Sequence, residues 1–296
     1  ITLREITKQI GWTPKVVRTP PIESTTVKQI RTFLRSVKDE RKAFLRKIGH
    51  RIHREVTSKD QWLRVTTLGC CREVGRAAFL ISTPESKILV DCGEKPGSAT
   101  NGAPYLYVPE IYPLDSLDAV VLTHAHLDHS GYLPLLVREG FRGPIYCTPP
   151  TRDLCALLLP DSGHIQESDA DFVNKKRRRD GQPPIAPLYT KADAQRSLEQ
   201  FVGVGLHRPV TVADGVRATF SNAGHILGST FVTLEIKEFA TGKEWRLVFS
   251  GDVGRTGMAI LNDPELPEPA DILILESTYG DRLHQAREEA RKKLRD

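Results

Sequence analysis

No apolar run in this sequence approaches the ~20 residues that a membrane span requires. The first residues, Ile1-Thr2-Leu3-Arg4, lack the basic-then-apolar layout of a secretory leader, and no initiator Met stands in front of them. The chain is therefore expected to be cytoplasmic, without membrane contact, and to start inside a longer protein. Cysteine is scarce. The five residues Cys70, Cys71, Cys92, Cys147 and Cys155 are odd in number and include no CxxC pair. That excludes a disulfide framework and a thiolate zinc knuckle, and leaves reduced thiols, expected as small buried residues in strands.

The 296 residues, 39% hydrophobic and 27% charged, have an ordinary globular balance and suffice for one large domain or two smaller ones. Their net charge of +5 is unevenly spread. Residues 1–54 hold 14 Lys/Arg against 4 Asp/Glu, a balance of +10, so the remainder sums to −5. A basic arm on a mildly acidic body is the footprint of a polyanion partner. After the break at Thr19-Pro20-Pro21, Ser24 offers an N-cap. Val27, Ile30, Leu34, Val37, Phe44, Leu45, Ile48 and Ile52 then recur at three- and four-residue steps. The spacing predicts one long basic helix over 23–58, ended or kinked at Gly49. Arg31, Arg35, Lys42 and Arg46 on its polar side are the candidate contacts to a nucleic acid or other polyanion, with a solvated helix face the bland alternative.

From Trp62 the period changes. Short β-like runs at 62–68, 77–82, 87–91, 119–123, 144–147, 209–213, 216–221, 230–236, 245–250 and 271–276 alternate with helical stretches after Ser130, over 151–180 and over 191–201. The 151–180 stretch ends in a basic run, Lys175–Arg179. Grouped strands with intervening helices predict an α/β layered sandwich. Residues 97–104 read as a loop beside the proposed site.

The chemistry is concentrated in Thr123-His124-Ala125-His126-Leu127-Asp128-His129-Ser130-Gly131. A strand ending at His124 delivers three imidazoles and a carboxylate within six residues. Polar groups packed so closely are costly without a partner, and a divalent cation is the natural one for neutral His and ionised Asp. A His-rich surface turn is the bland alternative, and the full HxHxDH pattern after an apolar strand weighs against it.

HxHxDH resembles the signature of the metallo-β-lactamase superfamily, which implies a four-layer αββα sandwich. The remaining pieces stand in that family's order. Asp91, ending Ile88-Leu89-Val90, matches an acid that orients a ligand. His225, in Asn222-Ala223-Gly224-His225, matches the third histidine of the first metal, with His164 a lesser alternative. Asp252, in Ser250-Gly251-Asp252, matches the carboxylate bridging two ions. Asp271–Asp281, containing Glu276-Ser277-Thr278-Tyr279-Gly280, resembles the entry to a β-CASP region, with Glu276 as its first acid. Gly11–Pro14, Arg18–Pro21 and the basic helix are similar to the segment joining KH modules to the nuclease in archaeal CPSF-type ribonucleases.

The resemblance implies two Zn²⁺ ions, with Mn²⁺ as an alternative, held by His124, His126, Asp128, His129, His225 and Asp252. Asp128, Asp252 and Glu276 would be the catalytic carboxylates of an RNA phosphodiesterase acting in 3′-end processing, termination or decay. It also implies a division into a KH-type tail (1–22), the basic arm (23–58), the first part of the metallo-β-lactamase domain (59–270) and the start of a β-CASP region (271–296). The family's later histidines are absent, and His284 lies in a charged tail. The chain is accordingly expected to be a fragment, completed by a C-terminal half-domain or by a second copy. A glyoxalase II-like thioester or lactone hydrolase and a non-catalytic RNA-binding subunit are the competing expectations.

Overall fold

The structure is a computed structural model that describes residues 24–55, 60, 62–95, 103–238, 241–283, 285 and 287–295. The expectations placed on residues 1–22, on His284 and on most of 97–104 lie outside the described residues. The chain divides into two compact units, Ile1–Lys38 and Asp39–Asp296.

In the first unit, α1 (Thr25–Ser36) starts at Ser24, whose Oγ accepts the Val27 N–H. None of its residues is buried, and Arg31 and Arg35 are exposed. The helix stops at Val37, not at Gly49. Arg35 closes its last turn, while Asp39 and Glu40 open the first turn of α2 (Lys38–Ile52). Each charge suits the helix end beside it. A lone glycine in a helix costs only about 1 kcal/mol, and α2 runs through Gly49 to Ile52.

The second unit contains two sheets. β1 (Arg64–Thr67), β2 (Phe79–Ser82), β3 (Lys87–Val90), β4 (Ala119–Val121), β5 (Ile145–Cys147) and β6 (Phe201–Gly203) form the first, in sequence order. Pairing is antiparallel as far as β3 and parallel from β3 to β6. The second runs β11 (Ile272–Ile274), β10 (Glu244–Phe249), β9 (Thr230–Lys237), β8 (Val216–Asn222), β7 (Val210–Ala213). Only β10 and β11 are parallel there. Ile88, Val90, Val121 and Tyr146 of one sheet pack against Phe220, Val232, Leu234, Leu247 and Phe249 of the other. Each such side chain contributes about 1.5–3 kcal/mol on burial. The intervening residues Leu80, Leu89 and Val120 are also fully buried, and strand alternation turns them to the opposite face. The one-turn α3 (Leu127–Ser130), α4 (Leu133–Arg138), the long α5 (Pro149–Arg179) and α6 (Lys191–Ser197) connect the first sheet's strands. A last helix, α7 (Arg287–Arg295), closes the chain. No helix among the described residues is long and apolar enough to cross a membrane.

Two expectations change. Cys92, Cys147 and Cys155 are buried, but Cys70 is half-buried and Cys71 exposed, in a turn rather than a strand. Much of α2 is also engaged with the body. Arg41 donates to the carbonyls of Glu199 and Phe201 at 2.6 and 2.8 Å. Arg51 binds the buried Asp118 carboxylate at 2.8 Å and the carbonyls of Asp115 and Ser116, and Arg54 reaches the same carboxylate at 3.1 Å. Lys42 and Arg46 remain exposed.

Candidate metal centre

Parallel pairing puts the C-terminal ends of β3 and β4 side by side, which places Asp91 against the start of the histidine segment. Asp91 leaves its strand at φ 58°, a left-handed conformation that Asp tolerates better than most residues. Its carboxylate accepts the Thr123 N–H and hydroxyl and the His129 Nδ1–H, each at 2.8 Å. Gly93 follows because α3 passes directly over it: a Cβ there would lie 1.6 Å from the Asp128 carbonyl. The β8–β9 connection carries His225. Ser229, which is buried, accepts the backbone N–H groups of His225 and Ile226 at 3.0 and 3.1 Å. β10 ends at Phe249, and Gly251, at φ 51° with its Cα against Thr123, turns the chain so that Asp252 enters the same space. The Thr230 N–H bonds the Thr123 carbonyl at 3.0 Å, tying the two sheet ends together.

Four donors converge: one atom each from His124, His126, His225 and Asp252, all within 4.8 Å of one another. His126 Nδ1 is 3.1 Å from Nε2 of both His124 and His225. Asp252 Oδ2 is 3.6 Å from His124 Nε2 and 3.3 Å from His225 Nε2. Bonds of ~2.0–2.1 Å to a tetrahedral ion give ligand–ligand edges of about 3.3–3.4 Å. The donor set therefore fits a cation in size as well as in chemistry. Asp252 faces a second group with its other oxygen. Its Oδ1 is 3.1 Å from His129 Nε2, and Asp128 Oδ2 is 4.0 Å from that same nitrogen. Among the described residues the second group thus has three donors, one of them shared.

The titration of these groups reports the same crowding. Burial first, then charge on His129, His126 and His225, holds His124 well below the usual histidine value. Burial also lowers His225, against the pull of Asp252. Burial opposes charge on His129 too, but hydrogen bonds to Asp252 and Asp91 outweigh it and raise that ring to about 10. Asp252 is pushed up by burial and more than compensated by the His129 hydrogen bond and the neighbouring rings, so its carboxyl ends below the usual range.

Glu276 follows β11 beside the Asp252 turn. Its Oε1 accepts the Val253 N–H at 2.7 Å, and its own N–H donates to Ser250 Oγ at 3.0 Å. That contact braces the backbone next to Asp252. Arg282, which could have paired with Glu276, instead stacks over Tyr279 at 4.8 Å. His164 is exposed on α5, outside the four-residue cluster. Three participants carried no sequence signal of their own. Ser229 holds the His225 turn through its hydroxyl, Thr123 bonds Asp91 through both its N–H and its hydroxyl, and Cys70 approaches the site from the β1–β2 turn. Burial, followed by Asp91, Cys71, Asp252 and Asp128, pushes its thiol up to about 11, so it stays protonated.

Residues 72–206 match the model of the metallo-beta-lactamase superfamily, and the chain carries a domain of that superfamily in a mixed α/β fold of two packed sheets with helices. It is 48% identical over 282 residues to transcription termination factor FttA of Methanosarcina mazei, covering 94% of this chain and 41% of that protein. The factor of the same name from Methanocaldococcus jannaschii is 38% identical over 297 residues, 99% of this chain and 44% of that one. The chain thus spans less than half the length of these relatives. Among solved structures, a Cronobacter sakazakii metallo-beta-lactamase with a HARLDQ motif is similar over 67% of this chain and 63% of that one, at 16% identity and a TM-score of 0.41.

Proposed function

We propose that this chain carries the metal centre of a ribonuclease that hydrolyses RNA phosphodiester bonds during transcription termination or 3′-end processing. The observation that carries the hydrolytic part is the convergence of His124, His126, His225 and Asp252 at spacings that fit one cation. Zinc is the ion this donor set favours, with manganese the alternative. When bound, such a cation supplies Lewis-acid polarisation of a phosphoryl oxygen and lowers the pKa of water.

The chain's own residues prepare that chemistry. Asp252 spans both donor groups, one oxygen towards His124 and His225 and the other towards His129. Asp91 fixes the His129 ring by engaging Nδ1, which leaves Nε2 facing the site. Asp128 adds a carboxylate on the same side. Glu276 holds the turn that carries Asp252 and, by bracing it, limits how far that carboxylate can move. His225 and Asp252 are each 26% exposed at the side chain, so the cluster is open to a substrate from one side. RNA as that substrate is supported by the relatives' name, transcription termination factor.

The test offers metal-loaded protein two substrates, a labelled single-stranded RNA and a thioester. Metal-dependent cleavage of the RNA alone is expected. Turnover of the thioester with intact RNA would replace the proposal with a glyoxalase II-like hydrolase.

A further inference from the structure

The basic run Lys175–Arg179 plays no part in the metal centre. It lies at the far end of α5, a 31-residue helix. The helix begins beside the site, where the hydroxyls of Thr148 and Thr151 donate to the Gly228 carbonyl at 2.7 and 2.9 Å. At 1.5 Å per residue, Lys175 stands about 40 Å along the axis from that end. The last buried residue of α5 is Ala170, so the final turns have no core beneath them. They are nonetheless strapped. Asn174 Nδ2 donates to the Ile185 carbonyl at 2.8 Å, its Oδ1 accepts the Ile185 N–H at 2.7 Å, and Arg177 Nε donates to the Pro183 carbonyl at 2.7 Å.

Cations in a last turn complement the helix dipole. That accounts for a basic end but not for Phe172, which is 76% exposed and forgoes the gain of burying its ring. Lys175, Lys176 and Arg179 lie three, four and seven residues after Phe172, so the ring and these three cations share one helical stripe. Arg41, Arg51, Arg54 and Arg152 each hold carbonyls or carboxylates. Among the described residues, the side chains of Lys175, Lys176, Arg178 and Arg179 have no such partner. Asp171 and Asp180, the nearest acids in sequence, form no ion pair with them. An acidic protein surface would be matched by charge alone. Asp169 precedes Phe172 on this stripe and the three cations follow it, and a ring continued by cations on one side matches a base face followed by phosphates.

We propose that Phe172, Lys175, Lys176 and Arg179 form a second RNA contact, a stacking and charge platform that anchors single-stranded RNA at a fixed distance from the metal centre. The platform rests on the reading of RNA as this protein's substrate. Because the strap holds the helix end in place, the platform sets how many nucleotides separate the anchored base from the cut.

The test measures binding separately from cleavage. The full chain carrying Asp252→Ala is titrated with a labelled single-stranded RNA by fluorescence anisotropy over about 50–200 mM salt. Combining Lys175→Ala, Lys176→Ala and Arg179→Ala should flatten the slope of log affinity against log salt by about 2, at about 0.7 per lost single-strand contact. Phe172→Ala should weaken binding roughly 5- to 100-fold with the slope unchanged, and Phe172→Tyr should retain it. Unchanged affinity and slope in every variant would overturn the platform, and an acidic protein would then be the partner to seek. A flattened slope with no effect of Phe172→Ala would reduce it to bulk charge and also overturn it. Protein with Asp252 intact is assayed for cleavage alongside. Platform-dependent binding without cleavage would defeat the ribonuclease reading and leave the platform standing.

Discussion

Asp91 Oδ2 lies 2.8 Å from His129 Nδ1, and the opposite nitrogen of that ring lies 3.1 Å from Asp252 Oδ1. One buried carboxylate therefore fixes both the orientation and the tautomer of a ring that touches the carboxylate shared by the two donor groups. Asp91 also accepts two bonds from Thr123, so the residue before the first histidine is held by the same side chain.

Replacing Asp91 by Asn keeps the shape and removes the charge. Metal affinity should fall about 10- to 100-fold, the usual effect of losing a ligand's orienting partner. Competition against a chromophoric chelator measures it. Wild-type affinity would mean that Asp91 serves the fold and not the ring.

The two candidate third histidines separate cleanly. His225→Ala removes a nitrogen 3.1 Å from His126 and 3.3 Å from Asp252, and metal content should drop. His164→Ala alters an exposed residue on α5, and metal content should hold. Elemental analysis that finds the reverse would reassign the ligand.

The arm yields a stability prediction. Arg51→Ala removes one of two arginines from the buried Asp118 together with two carbonyl contacts. The loss should be about 1–3 kcal/mol, less than for a fully buried pair because Arg54 remains and Arg51 is partly exposed. Arg35→Ala, on exposed α1, should change stability by less than about 0.5 kcal/mol. Urea unfolding compares them, and equal effects would show that α2 is not clamped. For the same reason a chain starting at Asp39 should fold, whereas one starting at Glu55 should lose stability.

Most of the strand positions were legible because alternation and turn residues are local signals. Ile88–Asp91 and Ala119–His124 each read as an apolar run ending in a polar donor, and their parallel pairing brings those ends together. The clamp was not legible. Arg41, Arg51 and Arg54 look like any basic helix face until Asp118 and the Phe201 carbonyl are placed beneath them, and those lie 64 to 160 residues away. The break at Val37 was missed because the glycine rule pointed to Gly49, while the charge reversal from Arg35 to Asp39-Glu40 carried the boundary. Glu276 was read from its sequence frame as a catalytic acid, and its contact with the Val253 N–H is a backbone relationship that no side-chain pattern encodes.

The second donor group should hold its ion less tightly than the first. Among the described residues, Asp128, His129 and the shared Asp252 are three donors, with Asp128 at 4.0 Å from His129, whereas the first group has four. Brief chelation of the purified chain should leave nearer one equivalent of zinc than two. Two equivalents surviving would show a complete second site.

Asp252→Ala tests the central claim most directly, because this one carboxylate belongs to both groups. Metal content and RNA cleavage are measured together on the variant and the parent, each stripped and reloaded with zinc. The account predicts that the variant loses bound metal and that its cleavage falls by at least about 100-fold, the order expected when a key electrostatic group at a reaction centre is removed. Parental metal content together with parental cleavage would contradict it.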